Sequence, residues 1–450
     1  MKTGAIILGA GKGTRMNSDL PKVLHCIMNK PLIEYVRENV EPLIDTKPVV
    51  VIGHEGEKVQ DYFKKSVSYA WQKQQLGTGD AVKWGLKEIK DEETVFVLCG
   101  DTPLLQKETL EKMKEEHLAE NRSATVLTAI LEDSTGYGRI CKDETGAFSL
   151  IVEEKDATLE ERKIKEVNSG TYLFEKGALE KALLDLDTDN AQGEFYLTDV
   201  LEIMKSEDKN VGVYTLDDET EIKGINNRVQ LAEAAKMLRD HINCIWMEKG
   251  VTLEDPNTAY IGSQVILDKD VIIGTNVHLE GKTSIGKNTI VGNNSTIENC
   301  IVGESADICE SILLDSKIGD GCLIGPFAYI RPGSHLGNCV KVGDFVELKK
   351  TKVGNGSKIP HHSYIGDSKV GEKVNIGAGT ITCNYDGEFK YETIIENGAF
   401  VGSNTNLVAP IVIGEAAYVG AGSTITKDVP SRSLSIARSR QKNIEDWNKK

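Results

Sequence analysis

The chain has 450 residues and carries 69 acidic against 53 basic side chains, which gives a net charge of −16. This length predicts two or three domains, and the acidic balance argues against nucleic acid or an anionic membrane surface as a partner. The nine cysteines include no C-x-x-C pair, which disfavours a disulfide framework and a zinc site. The first apolar run begins at Ala5, too early for a preceding signal peptide, and no run reaches the roughly 18 residues of a membrane span. We therefore expect a cytoplasmic protein.

Residues 1–228 alternate short apolar runs with polar, helix-like stretches, as at residues 49–52 and 95–98. Strands that are apolar throughout are typical of a parallel sheet covered on both faces. The alternation predicts an α/β doubly wound, Rossmann-like domain.

The glycine-rich segment 8–25 reads LGAGKGTRMNSDLPKVLH and follows the first predicted strand. A P-loop is excluded because Gly13 follows the lysine where Ser or Thr is required, and a dinucleotide fingerprint lacks its third glycine at Thr14. Bare N–H groups in such a turn still favour phosphate binding, and Arg15 and Lys22 supply cations downstream. The alternative is a tight strand-to-helix turn.

Residues 229–250 change to a helical pattern and form the predicted linker. One apolar stripe has spacings of four and three residues, and Gly250 stands where a C-cap is expected. The stripe comprises Leu231, Ala235, Leu238, Ile242 and Ile245.

Residues 251–450 carry aliphatic residues at every sixth position, with occasional steps of five. This hexapeptide repeat predicts a parallel β-helix in which the aliphatic side chains point into a prism. Residues 382–393 have no aliphatic side chain at the expected place, so we expect them to loop out. A β-helix alone leaves a scaffold or oligomerising role open. The repeat residues are Ile261, Leu267, Ile273, Leu279, Ile285, Val291, Ile297, Ile318, Ile324, Ile330, Leu336, Val342, Leu348, Ile395, Val401, Leu407, Ile413, Val419 and Ile425.

Motifs along the whole chain carry a family resemblance. The first half contains GAGKGTRM, LPKVLH, QLGTGDA, GDTPLL, TGYGRI, NAQGEFYLTD and GINNR, and the second contains IRPGS, NIGAGTITCNYDG and IARSRQ. In this order they closely resemble the bacterial bifunctional N-acetylglucosamine-1-phosphate uridylyltransferases and glucosamine-1-phosphate N-acetyltransferases. Relatives with one activity would lack one of the two motif sets.

The resemblance implies two reactions. The second half, folded as a left-handed β-helix, would acetylate glucosamine 1-phosphate with acetyl-CoA. The first half would then transfer UMP from UTP to N-acetylglucosamine 1-phosphate, giving pyrophosphate and UDP-N-acetylglucosamine, a peptidoglycan precursor. It also implies a homotrimer with the acetyl site between chains. The partners would otherwise be small molecules.

Asp101 directly follows the apolar run at residues 95–98, at the carboxyl end of a predicted strand, where ligands of open α/β sheets gather. A hard oxygen ligand there suits Mg²⁺. The alternative is a helix cap before Thr102 and Pro103. The resemblance assigns the metal to Asp101 and Asn226.

The resemblance also assigns the remaining uridylyl-transfer residues. Arg15 and Lys22 would act catalytically by neutralising the triphosphate and the departing pyrophosphate. Gln72, with the amide donor and acceptor that match a uracil edge, would recognise the base together with Gly77 and Thr78, where glycine allows close backbone approach. Without the resemblance, Glu153, which begins the charged run EEKD, would be interpreted as a solvated carboxylate. The residues that would bind UTP or the product are Leu8, Gly9, Ala10, Gly11, Lys22, Gln72, Gly77, Thr78, Gly138, Glu153, Asn168 and Asn226. No single role follows for residues 190–199.

Acetyl transfer needs a base that removes a proton from the sugar amine near neutral pH, and histidine is the natural candidate. His361 and His362 are adjacent, and neighbours in an extended strand point opposite ways. The family pattern places the base at His361 and usually has an apolar residue at position 362. The alternative is a pair of polar surface histidines.

By the same resemblance, the sugar phosphate of the acetyl acceptor would contact Arg331, Lys349, Tyr364 and Asn375. Acetyl-CoA would contact Ala378, Asn384, Tyr385, Ser403, Ala421 and Arg438. The tail 431–450 has six basic and two acidic residues, a local charge of +4 that can meet the CoA phosphates. Its alternative is a frayed terminus.

Two other functions remain open on the residues alone. A single-activity sugar nucleotidyltransferase with a regulatory β-helix would not need His361, Asn384 or Arg438. A non-catalytic solenoid scaffold would leave Asp101, Asn226 and Lys22 unexplained.

Overall fold

A computed structural model describes residues 1–445 and Trp447. Asp446, Asn448, Lys449 and Lys450, part of the basic tail, lie outside the described residues. Contacts divide the chain into two units, Met1–Leu238 and Arg239–Lys450. No described helix combines the length and apolar character needed to cross a bilayer.

The first unit is built on a mixed sheet. Its strand order is β11-β7-β10-β6-β1-β4-β5, with β6, β1, β4 and β5 parallel, and β10 antiparallel to both β6 and β7. Strands β8 and β9 extend it beside β10, and β2 pairs with β3 separately. The strands are β1 (Thr3–Leu8), β2 (Cys26–Ile27), β3 (Lys30–Pro31), β4 (Val49–Ile52), β5 (Ser68–Trp71), β6 (Thr94–Cys99), β7 (Ala124–Ile130), β8 (Arg139–Lys142), β9 (Phe148–Val152), β10 (Glu166–Glu175) and β11 (Val211–Thr215).

Helices cover both faces of this sheet, as the all-apolar strands predicted. Alternate residues of β1 enter opposite cores, since Ile6 packs into one buried cluster and Ile7 into the other. The helices are α1 (Leu32–Val40), α2 (Gly56–Phe63), α3 (Thr78–Leu86), α4 (Lys107–Ala119), α5 (Lys176–Ala182), α6 (Asp199–Ser206) and α7 (Arg228–Glu248). Short 3₁₀ turns lie at Thr14–Met16, Lys22–Leu24, Glu41–Leu43, Glu161–Lys163 and Glu219–Ile222.

The predicted linker helix is α7. Gly250 follows it with φ 92°, a left-handed conformation that suits glycine after a helix C-terminus. The division between the two units falls inside α7, at Leu238 and Arg239. The assignment of the activities to residues 1–228 and 251–450 stays a proposal.

The second unit is a β-helix, confirming the hexapeptide prediction. Its coils stack as three parallel sheets of 11, 10 and 9 strands in the described residues. Sheet I comprises Thr252–Leu253, Ile272–Ile273, Ile290–Val291, Asp307–Ile308, Leu323–Ile324, Lys341–Asp344, Lys358–His361, Asn375–Ile376, Phe400–Val401, Tyr418–Val419 and Leu434–Ser435. Sheet II comprises Tyr260–Ile261, His278–Glu280, Thr296–Glu298, Ile312–Leu314, Tyr329–Ile330, Glu347–Lys349, Tyr364–Gly366, Ile381–Cys383, Asn406–Val408 and Thr424–Ile425. Sheet III comprises Ile266–Leu267, Ser284–Ile285, Ile301–Val302, Lys317–Ile318, His335–Leu336, Lys352–Val353, Ser368–Val370, Thr393–Ile395 and Ile411–Ile413.

The prism is filled by the aliphatic residues of the sequence repeat, all of which are buried in one continuous core. Where the repeat breaks, the Thr382 side chain occupies the inward-facing position and is buried. Its Oγ1 accepts a hydrogen bond from the Gly366 N–H at 2.8 Å. The chain then leaves the coil at residues 384–392 and returns in the strand Thr393–Ile395. The predicted excursion is present, and its ends at 382, 383 and 393 belong to strands.

Candidate active sites

A cavity of about 340 Å³ lies at the carboxyl ends of β1 and β6. Most of the predicted nucleotide residues line it, namely Leu8, Gly9, Ala10, Gly11, Lys22, Gln72, Gly77 and Thr78, together with Asp101. The sequence prediction omitted Lys12, Gln75, Cys99 and Glu194, which also line it. Lys12, Gln75 and Glu194 lie inside the GAGKGTRM, QLGTGDA and NAQGEFYLTD motifs, and Cys99 directly precedes the GDTPLL motif, so the motifs were the available signal.

The glycine-rich loop is not a tight strand-to-helix turn, so that alternative is wrong. After β1 the chain makes the 3₁₀ turns Thr14–Met16 and Lys22–Leu24 and then the paired strands β2 and β3 before α1 begins at Leu32. Gly13 has φ 59°, and a Cβ there would lie 2.7 Å from the Lys22 Cβ. A Cβ on Gly11 would meet nothing within 4 Å, so the backbone at Gly11 is open to a ligand.

Lys22, Asp101 and Asn226 form a cluster that the fold assembles from distant segments. The Lys22 ammonium donates to Asp101 Oδ2 and, at 3.1 Å, to Asn226 Oδ1. Arg15 also donates to Asn226 Oδ1, at 3.0 Å. The helix-cap alternative for Asp101 is wrong, because the next helix begins only at Lys107.

The oxygens of this cluster fit a metal ion. Asp101 and Asn226 already share one cation, the Lys22 ammonium, and carboxylate and amide oxygens are the donors that Mg²⁺ accepts. The two residues expected to hold Mg²⁺ are therefore close enough to bind one cation together.

Gln72 is fixed beside the cavity. Its side chain is buried, and its Nε2 donates to the Gly77 carbonyl at 3.1 Å and to Asp80 Oδ2 at 2.9 Å. The structure thus brings together two of the residues expected to recognise the base, Gln72 and Gly77.

Residues 190–199, which the sequence left without a role, clamp the loop that carries Gly77 and Thr78. Phe195 N–H donates to the Leu76 carbonyl and its carbonyl accepts from Gly79 N–H, both at 2.8 Å. A Cβ on Gly77, where φ is 117°, would lie 2.5 Å from the Phe195 carbonyl oxygen. Glycine at position 77 is required by this close approach.

Gly138, Glu153 and Asn168 lie together, but outside the lining of the nucleotide cavity. Asn168 N–H donates to the Gly138 carbonyl at 2.9 Å, and Thr198 Oγ1 donates to Glu153 Oε1 at 3.3 Å. Glu153 lines a neighbouring cavity of about 500 Å³. Glu153 is half-buried and accepts from Thr198, and burial raises its pKa, so it is not a fully solvated surface carboxylate.

In the second unit, His361 is paired with a carboxylate that the sequence analysis missed. His361 ends a strand of sheet I, and its Nδ1 lies 2.5 Å from Oδ1 of Asp344, one coil earlier. The hydrogen bond with His361 lowers the pKa of Asp344. The available signal was the spacing of 17 residues, one coil of the β-helix.

His362 has a different environment. Its ring contacts that of Phe345 in a tilted arrangement with centroids 4.9 Å apart, and Phe345 stacks on Phe327 at 5.3 Å. Both histidines are at the surface, but only His361 has a carboxylate partner on its ring among the described residues. The position usually occupied by an apolar residue thus continues an aromatic column.

The predicted sugar-phosphate residues of this unit lie mainly on sheet II. Arg331 donates to Glu347 Oε1 at 2.7 Å, and Glu347 is paired in register with Tyr364 on the next coil. The Lys390 ammonium, from the excursion, lowers the pKa of Lys349. Asn375 belongs to sheet I. No hydrogen bond joins His361 to Arg331 or Lys349 within the described part of the chain.

The predicted acetyl-CoA residues form a column on successive coils. Ala378 O accepts from Asn404 N–H at 2.7 Å, Ser403 O accepts from Gly422 N–H at 2.8 Å, and Ala421 O accepts from Arg438 Nη1 at 2.6 Å. Asn384 and Tyr385 lie apart in the excursion, where Asn384 Nδ2 donates to Asp367 at 2.6 Å. At about 4.8 Å per coil, the corner from His361 to Arg438 extends roughly 19 Å, which suits an elongated ligand.

Comparisons with known proteins agree with both halves of this arrangement. The nucleotidyl transferase family matches residues 4–250, and the bacterial transferase hexapeptide (six repeats) family matches residues 315–350 and 392–427. The Bifunctional protein GlmU of Heliobacterium modesticaldum is 51% identical over 99% of this chain and 98% of its own length. That of Carboxydothermus hydrogenoformans is 50% identical over 98% and 99%, and that of Shouchella clausii is 46% identical over 99% and 98%.

Proposed function

The chain belongs to the bifunctional GlmU family, and on that premise we propose that it makes UDP-N-acetylglucosamine in two steps. It acetylates glucosamine 1-phosphate with acetyl-CoA and then transfers UMP from UTP to the product, with release of pyrophosphate. The observation that carries this proposal is the presence on one chain of a cation-binding oxygen pair beside a nucleotide cavity and a carboxylate-oriented histidine on a β-helix.

Uridylyl transfer is an in-line attack of the sugar phosphate on the α-phosphorus of UTP, so the site must orient two anions and neutralise their charge. The Leu8–Gly11 backbone contacts the nucleotide, while Arg15 and Lys22 face the phosphates and the leaving pyrophosphate. Asp101 and Asn226 would hold Mg²⁺, which when bound would supply positive charge to the triphosphate. Gly138, Glu153 and Asn168 bind the sugar.

Acetyl transfer needs a neutral amine. Asp344 accepts the Nδ1 proton of His361, which leaves Nε2 free to take a proton from the sugar ammonium or from the attacking amine. The nitrogen forms a bond to the acetyl carbon, the carbon–sulfur bond breaks, and CoA leaves as the thiol after receiving the proton. Arg331 and Lys349 bind the sugar phosphate.

We place the reaction in the cytoplasm, where UTP and acetyl-CoA are available, and in a homotrimer. The acetyl-CoA column at the corner of the prism is open to solvent in one chain, with the His361 side chain 55% exposed. A second chain against this corner closes the site in the proposed trimer.

The direct test is incubation with glucosamine 1-phosphate, acetyl-CoA, UTP and Mg²⁺, followed by mass spectrometry of the product. UDP-N-acetylglucosamine is the expected product. His361→Ala is expected to reduce acetyl transfer by about 10³-fold and to spare uridylyl transfer. Asp101→Ala is expected to reduce uridylyl transfer by about 10³-fold and to spare acetyl transfer.

Each alternative function predicts a different result. A single-activity nucleotidyltransferase would form UDP-N-acetylglucosamine only from N-acetylglucosamine 1-phosphate and would ignore acetyl-CoA. A scaffold would show neither reaction. A variant that kept its own reaction at the wild-type rate would overturn that site assignment.

A further inference from the structure

We propose that Asp80 is a positioning residue that sets the preference for uracil, because it fixes the Gln72 amide with its oxygen available to the base. This inference rests on the proposed uridylyl transfer and gives a role to Asp80, a residue of the QLGTGDA motif for which the resemblance assigned none. Asp80 does not line the nucleotide cavity and acts only through Gln72.

Both donor positions of the Gln72 amide are occupied. Its Nε2 carries two hydrogens, and it donates to the Gly77 carbonyl at 3.1 Å and to Asp80 Oδ2 at 2.9 Å. The side chain is 3% exposed, so water contributes little to its orientation. Among the described residues no donor bonds to Gln72 Oε1, which leaves the oxygen as the free group of the amide.

The opposite orientation of the amide is unfavourable. Rotation by 180° would place Oε1 against the Gly77 carbonyl and the Asp80 carboxylate, which are both acceptors, and would leave them without a donor. A buried acceptor that loses its donor lowers stability, so this orientation is disfavoured. The carbonyl alone would oppose this rotation, but the charged carboxylate gives the stronger hydrogen bond of the two.

Asp80 is itself held in place by its position in α3. It lies in the first turn of this nine-residue helix, where the helix dipole favours a negative charge. The backbone of that turn is clamped by Phe195, which accepts from Gly79 N–H. The carboxylate is therefore preorganised before the nucleotide binds.

The fixed amide discriminates between pyrimidines by polarity. Gln72 lines the cavity together with Gly77 and Thr78, and Oε1 is the amide atom left free to bind there. Uracil has a donor at N3, whereas cytosine has an acceptor at N3. With its donors already used, Gln72 cannot rotate to suit cytosine without breaking the bond to Asp80. Of the donor and the acceptor that the Gln72 amide carries, only the acceptor is therefore available to the base.

The test compares kcat/KM for UTP with kcat/KM for CTP in the full-length protein, with N-acetylglucosamine 1-phosphate as the second substrate. Asp80→Ala is expected to lower the UTP-over-CTP preference by about tenfold. This is the effect expected when the hydrogen bond from the base to Gln72 is no longer restricted to an acceptor on the amide. Asp61→Ala removes an exposed carboxylate on the neighbouring helix α2 and is expected to keep the wild-type preference. The kcat for UTP, measured in the same samples, reports whether the first unit is folded, because acetyl transfer depends on the second unit.

A double-mutant cycle separates positioning from a structural role. In a Gln72→Ala background, Asp80→Ala is expected to change the preference by less than about twofold, since its partner is gone. An equal effect in both backgrounds, or an unchanged preference in Asp80→Ala alone, would overturn the inference. Absence of any UTP-dependent activity in the wild-type protein would instead contradict the proposed function.

Discussion

The two units place their reactive groups in different environments. In the first unit the side chains of Lys22 and Asp101 are 17% and 16% exposed, at the meeting point of strand ends and loops far apart in the chain. In the second unit His361 and Asp344 are 55% and 35% exposed, on neighbouring coils of a regular solenoid. One site is preorganised within its own unit, and the other stands open on a surface.

This difference shows how each fold builds a site. A doubly wound sheet gathers residues because its parallel strands end at one edge, so long loops can converge there. A β-helix gathers residues because each coil places one residue above another. The convergent site, around Lys22 and Asp101, depends on tight loop packing. The stacked site, around His361 and Asp344, depends on the register of neighbouring coils and on what covers the exposed corner.

The substitution with the largest expected effect disrupts the stacked site. Asp344→Asn is expected to lower kcat for acetyl transfer by about 10³-fold, because an amide can donate to Nδ1 and favour the wrong tautomer of His361. The KM for acetyl-CoA should change little, since Asp344 orients the base and does not bind the thioester. Steady-state kinetics measure both parameters.

Asp307→Asn is the matched control, because Asp307 is an exposed carboxylate on sheet I on an earlier coil. It should leave both parameters at wild-type values. A wild-type kcat in Asp344→Asn would mean that His361 needs no oriented tautomer.

A smaller effect tests the convergent site. Gly77→Ala is expected to reduce kcat/KM for UTP by about 30-fold, because the new methyl group would press on the Phe195 carbonyl and the φ of 117° is strained for alanine. Gly146→Ala has a similar backbone strain at φ 83° but open space around the methyl group. If both variants lost activity equally, loop packing against Phe195 would not be the cause.

The smallest effect concerns the burial of carboxylates in the first unit. Burial, followed by repulsion from Glu202 and Glu153, raises the pKa of Asp199 from 3.8 to about 6. The folded state therefore binds the proton of the Asp199 carboxyl group more tightly than the unfolded state does. The free energy of unfolding consequently falls as the pH rises from below 3.8 to above about 6.

Asp199→Asn removes this pH-dependent loss. Urea unfolding at pH 8 should show a gain of about 1 kcal/mol, after allowance for solvent screening, and a smaller gain at pH 5. The exposed Asp217→Asn should show no such difference. An equal gain at both pH values would assign the effect to something other than ionisation.

The sequence determined the fold class, because periodicity directly reports burial. The six-residue repeat of aliphatic side chains specified the β-helix core, and the one break in that repeat located the excursion at residues 384–392. The all-apolar run at residues 95–98 likewise fixed Asp101 at a strand end. These features are local, so spacing along the chain was enough to predict them.

Only the tertiary structure decided which polar groups meet. Lys22 lies between Asp101 and Asn226, Asp344 lies beside His361, and Asp80 holds Gln72, yet each of these residues could equally be a solvated surface group in the sequence. Hydrogen bonds have lengths of about 3 Å and depend on direction, so they form only after strands and coils fix the side chains in space. Hydrophobic burial has no such directional requirement, which is why the sequence pattern specified the core but not the hydrogen bonds of the sites.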